Sequence, residues 1–121
     1  MSIIRVIGVS ILMSLSTLPA VADGAIAVDL TPGVAKPGYG VGRGGTALDA
    51  DRQALELCGA ANPGKVHACK IMVRYPRCGA VAVSPSYHSG KGSGATSGGA
   101  SGQALSQCGA GCSIVVADCV P

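Results

Sequence analysis

The sequence predicts a small α+β domain built from two tandem β-β-α-β repeats about a pseudo-twofold and stapled by disulfides into one unit. Three observations carry this reading. The chain aligns with itself, it holds six cysteines, and it has no Phe or Trp and only three Tyr. From residue 23 onward there are five Leu, three Ile and ten Val against sixteen Ala. A core that thin is expected to need covalent help.

The duplication is read from three blocks that recur in the same order. Gly24-Ala-Ile-Ala-Val28 matches Gly79-Ala-Val-Ala-Val83 at four of five positions. Residues 40–60 match 90–110 at a fixed offset of fifty, with eleven identities in twenty-one positions. Cys69-Lys-Ile-Met-Val73 echoes Cys112-Ser-Ile-Val-Val116. Repeat one spans 24–77 and repeat two 78–119. Neither half could bury enough surface alone, so the halves are expected to form one sheet or two packed layers.

Each element then follows. The first strand is 24–28 or 79–83, short and rich in β-branched residues. The second is the alternating-glycine run 39–44 or 89–94. Glycine at every second residue lines one face of a strand, and lets another element approach closely. A helix follows. In the first half Thr46 is its N-cap, with Asp49 three residues on and Asp51 close by. Ala47, Leu48, Ala50, Ala54, Leu55 and Leu57 are read as its apolar face, and Cys58-Gly59 as its end. The second helix carries Gly98, Gly99 and Gly102, each less favourable than Ala by about 1 kcal/mol, so its start is expected late, near Ser101. The third strand is 69–75 or 112–118.

Six cysteines allow fifteen pairings. The repeat narrows them. Cys58 and Cys69 hold the same two positions as Cys108 and Cys112, which pairs 58 with 69 and 108 with 112. Cys78 and Cys119 remain, and would clasp the first strand of the second half to its last. Zinc is the alternative use, with Cys108, Cys112 and Cys119 joined by His67 or His88. An even cysteine count in an exported chain favours disulfides.

Export is read from the N-terminus. Arg5, the apolar run Val6–Leu15, Pro19 and the small residues Ala20-Val21-Ala22 have the layout of a secretory signal peptide over 1–22. The apolar run is about half the roughly 20 residues that a span needs. Removing Arg5 from nine basic residues leaves eight against six acidic ones, a net of +2. That is too little charge to argue for nucleic acid or an anionic membrane.

The chemistry-bearing residues are sparse. Gly40-Val-Gly42-Arg-Gly44-Gly45 fits a dinucleotide-loop spacing, but no suitable acidic residue follows in both halves. The period of two favours helix packing instead. Ser84 or Ser86, His88 and Asp118 could be imagined as a triad, yet no nucleophile-elbow motif supports it. Glu56 reads as a solvated helix residue. No catalytic residue, cofactor or metal is assigned. Lys65, Lys70, Arg74 and Arg77 form a loose basic group around Tyr75. Of these, Lys70, Arg74, Tyr75 and Arg77 are the candidate interaction patch.

Taken together, Gly-Ala-Ile-Ala-Val near the mature start, Tyr-Gly-x-Gly, a helix ending Ala-Leu-x-x-Cys, a Cys-led Val strand and Cys-Gly-Ala-Val-Ala opening a second round resemble domain-of-unknown-function family 4189. The resemblance covers about 24–119. It implies an exported bacterial protein and no established catalytic residues. Members often carry an aromatic after the second-strand glycines or in the third strand, and this chain mostly lacks them. The expected function is a non-catalytic protein-interaction module, periplasmic or extracellular: an effector, an inhibitor or an envelope accessory. A small secreted hydrolase-type enzyme and a purely structural envelope component are the rival readings.

Overall fold

The computed structural model describes residues 23–31, 37–61 and 68–121. The signal-peptide reading of 1–22, and the readings of Lys65 and His67, lie outside the described residues.

Eight elements follow in order: β1 (Asp23–Asp29), β2 (Tyr39–Gly44), α1 (Ala47–Ala61), β3 (Cys69–Tyr75), β4 (Cys78–Val83), β5 (Ser89–Gly94), α2 (Ser97–Cys108) and β6 (Ser113–Cys119). They form two three-stranded antiparallel sheets ordered β2-β1-β3 and β5-β4-β6. Of the two arrangements open to the halves, the structure has separate sheets packed as layers.

Alternation along the central strands explains the layering. Ile26 and Val28 of β1 point the same way, as do Val81 and Val83 of β4, and they meet with Val73, Tyr75 and Val116 in one buried cluster between the sheets. Each such side chain contributes about 1.5–3 kcal/mol when fully buried. Ala25 and Ala27 face the other way onto Ala50, Ala54 and Cys58 of α1. Ala80 and Ala82 likewise face Ala100 and Ala104 of α2. The result is four layers: helix, sheet, sheet, helix.

The outer layers pack backbone to backbone. A Cβ on Gly42 would collide with the Ala50 carbonyl oxygen, and one on Gly92 with that of Ala100. Gly40 and Gly90 are closed off in the same way by Ala54 and Ala104. The alternating glycines thus serve close helix packing.

Three expectations need correction. The buried face of α1 is Ala50, Ala54 and Cys58, whereas Leu48, Leu55 and Leu57 are 65%, 40% and 48% exposed. Only small residues fit against the glycine strand, so the leucines turn outward. Helix α1 runs through Gly59 to Ala61 rather than ending at Cys58-Gly59. Helix α2 starts at Ser97, not near Ser101. There Thr96 caps it, its Oγ1 accepting from Gly99 N at 3.0 Å, and packing on β5 outweighs the glycine propensities. In α1 the Thr46 Oγ1 accepts from Asp49 N at 3.1 Å, as the capping reading has it.

Disulfides join Cys58–Cys69, Cys78–Cys119 and Cys108–Cys112. The first and third tie a helix end to the following strand. The second links directly opposed residues of β4 and β6. Cys108 and Cys112 are four residues apart. A Cys108→Ser/Cys112→Ser protein is expected to lose about 2 kcal/mol in the chain-entropy account, read by denaturant unfolding.

Candidate functional site

Two rows of residues meet where the sheets join. Across the first sheet Arg43, Gly24 and Tyr75 lie side by side; across the second Ser93, Gly79 and Asp118 do. Neither glycine has room for a Cβ, because the Tyr75 ring lies against both. The ring is buried between the sheets, and its hydroxyl donates to Asp118 Oδ2 at 2.7 Å. Arg43 grips the same carboxylate from β2, Nε donating to Oδ2 at 3.3 Å and Nη2 to Oδ1 at 2.5 Å. Nη2 also donates to the Cys119 carbonyl at 3.2 Å. This cluster, with Tyr75 inside and Arg43 at the exposed edge, pins one sheet to the other.

Burial pushes the Tyr75 hydroxyl well above its ordinary range, and the hydrogen bond to Asp118 and the charge of that carboxylate push the same way. An unfolded tyrosine titrates near 10. The stabilisation of the neutral phenol is therefore present below about pH 10 and lost above it, where the unfolded chain ionises and the folded one does not. Stability is expected to fall by up to about 1.4 kcal/mol per pH unit through this residue above about pH 10. Urea titrations at a series of alkaline pH values read the slope, and Tyr75→Phe should remove it.

The basic patch read from the sequence is not one surface. Tyr75 is core, a correction to its place beside the cations. Lys70 is exposed and sits opposite Val28, whereas Arg74 sits opposite Ala25, so the two belong to opposite faces of β3. Arg74 is committed to α1: Nε donates to Asp51 Oδ1 at 2.9 Å and Nη2 to Oδ2 at 2.6 Å. Asp51 is thus an ion-pair partner of a strand, not a capping residue. Arg77 is exposed beyond β3, and its carbonyl accepts from Val120 N at 2.7 Å.

The imagined triad is not assembled. Asp118 lies opposite Gly79 near the start of β4, and Ser84 follows its end. Five residues of strand separate these points by about 16 Å. Among the described residues no three His, Cys, Asp or Glu side chains gather as a metal site. No helix among them is long and apolar enough to cross a membrane.

A groove of about 690 Å³ lies at the opposite end of the sheets from the Arg43 cluster. Tyr39 and Tyr87 line it with Pro37, Pro85, Val83 and Ile114. Tyr39 is 44% exposed. Tyr87 has φ 66°, in the left-handed region that bulky residues rarely adopt. A tight turn holds it there. Tyr87 N donates to the Ser84 carbonyl at 2.9 Å, Ser84 N to the His88 carbonyl at 2.9 Å, and His88 N to Ser84 Oγ at 3.0 Å. A bulky residue in that region adds about 1–2 kcal/mol of strain, which the turn must offset. The groove brings together strand ends that are far apart in sequence. The one local signal was that Tyr39 and Tyr87 both sit two residues after a proline.

The fold and groove define a small, disulfide-stapled α+β domain with two packed sheets and an open cleft lined by two tyrosines. Residues 24–119 match the family described as domain of unknown function (DUF4189), and the chain belongs to that family. No curated protein and no solved structure matches it.

Proposed function

We propose that this chain is an exported, non-catalytic interaction module that docks a partner protein in the Tyr39–Tyr87 groove. The carrying observation is that two of the three tyrosines are gathered in one concave surface of mixed apolar and polar lining, one of them in a strained conformation. Tyrosine supplies large contact area at low entropic loss, which suits a docking surface. Three disulfides support an oxidising compartment, the periplasm or the cell exterior. In this reading 1–22 is removed on export.

We also read the fold as two copies of one β-β-α-β unit about a pseudo-twofold. The corresponding registers support it, and so does a shared detail. Asp29 N donates to the Gly38 carbonyl at 2.9 Å, and Ser84 N to the His88 carbonyl at 2.9 Å.

Affinity capture from the producer's envelope extract, with oxidised protein as bait, tests the docking. One saturable partner is expected with the parent. The Tyr39→Ala/Tyr87→Ala protein should lose that partner at least tenfold while unfolding within about 1 kcal/mol of the parent. Equal capture by both baits would remove the groove from the function.

A further inference from the structure

A second cleft lies on the flank of the molecule, where the outer strand of the first sheet, β3, passes near β5 of the second. Its volume is about 440 Å³, and Met72, Arg74, Lys91, Ser93, Gln103 and Gln107 are among its lining residues. It exists because the two flanks are built differently. On the far flank Arg43 reaches from β2 across to Asp118 and the Cys119 carbonyl of β6. The residue in the matching register position of β5 is Ser93, since Arg43 lies opposite Gly24 and Ser93 opposite Gly79. Where one flank has a guanidinium, the other has a hydroxymethyl group and open space.

The strand edges around this cleft differ in the same telling way. An edge strand turns alternate N–H and C=O groups outward, where they template another strand. On β5 two of these donors are closed by α2. Lys91 N donates to Gln107 Oε1 and Ser93 N to Gln103 Oε1, both at 2.7 Å. On β2, Arg43 N donates to Gln53 Oε1 at 2.7 Å. Among the described residues, no donor or acceptor outside the sheet meets the backbone of β3. Its outer edge faces the cleft.

The charge of the cleft selects what would fit. Two ionisable side chains line it, Arg74 and Lys91, both cationic. Arg74 is already paired with Asp51 of α1, so among the described residues Lys91 is the cation of the cleft whose charge no carboxylate balances.

We propose that this cleft binds an extended acidic peptide segment of a partner protein, which adds to the free edge of β3 as a fourth strand of the first sheet. Main-chain hydrogen bonds to β3 give the affinity, and a carboxylate beside Lys91 gives the sign preference. The site is separate from the Tyr39–Tyr87 groove and does not depend on it.

The probe is a fluorescein-labelled peptide of about six residues alternating Glu and Val, read by anisotropy against the oxidised protein. Two comparators are used: the Lys-Val peptide, and the Glu-Val peptide N-methylated at alternate residues so that its edge cannot pair. The Glu-Val probe should bind at least tenfold tighter than either, and should weaken as salt rises from about 50 to about 500 mM. Lys91→Glu, an exposed side chain, should weaken it about tenfold and reverse the preference toward the Lys-Val peptide. Ser93→Trp should block it by filling the cleft, with the disulfides intact by unreduced peptide mapping. The Tyr39→Ala/Tyr87→Ala protein should bind the probe as the parent does. Failure of all probes to bind, equal binding of the acidic and basic peptides, or indifference to N-methylation would overturn the proposal.

Discussion

Tyr75→Ala is expected to lower stability by about 4 kcal/mol, close to the upper end for deleting a buried ring. The ring is the largest fully buried side chain, and it fills the space that Gly24 and Gly79 leave between the sheets. Neither glycine can grow to fill the hole, so the cavity persists. Tyr75→Phe keeps the ring and loses only the hydroxyl bond to Asp118, which Arg43 still satisfies. About 1–2 kcal/mol is expected there. Denaturant midpoints for both proteins decide the matter. A smaller loss for alanine than for phenylalanine would mean that the ring is not what spaces the sheets.

Gly42→Val and Gly92→Val should be more damaging still, yielding little oxidised, folded protein. Even a methyl group at either position meets helix backbone, which cannot rotate away as a side chain can. Alanine at these sites is expected to destabilise by about 3 kcal/mol, at the upper end for overpacking. Gly102→Ala is the control. It lies in α2 with nothing near its missing Cβ, and should stabilise by up to about 1 kcal/mol. Midpoint shifts of opposite sign from the same chemical change would separate packing from propensity. A neutral Gly92→Ala would show that α2 is free to move away from the sheet, and that backbone contact does not set its spacing.

Much of the fold could be read from the chain because the blocks that recur in its sequence constrain one another. The self-alignment placed the strands and helices to within a few residues. The cysteines were paired by their positions in the repeat, and the structure joins the same residues. What failed was inference from local composition. Leu48, Leu55 and Leu57 look like a buried face until the glycines of β2 are considered. A strand face lined only by glycine draws in the smallest helix face, so Ala50, Ala54 and Cys58 face inward. Tyr75 looked like a surface residue because cations flank it, yet strand alternation turns it inward. Its link to Asp118 has a trace in the sequence: extending the Cys69/Cys112 alignment puts Tyr75 and Asp118 at equivalent positions. The groove had almost none, since Tyr39, Tyr87 and Ile114 converge only after folding.

The glycine-backed helices have a consequence for how such a chain can diverge. Where two backbones set the spacing of a layer, no compensating pair of side chains exists to be exchanged, so the inner faces of α1 and α2 are frozen as small residues. The outward faces carry no such restriction. Leu48 and Leu55 occupy them in this chain, and other residues could do so without moving the helix. Change should therefore accumulate on helix exteriors, strand ends and connecting turns, over an invariant scaffold of alanine, glycine and cystine. Related chains would then share a shape closely while presenting quite different exteriors.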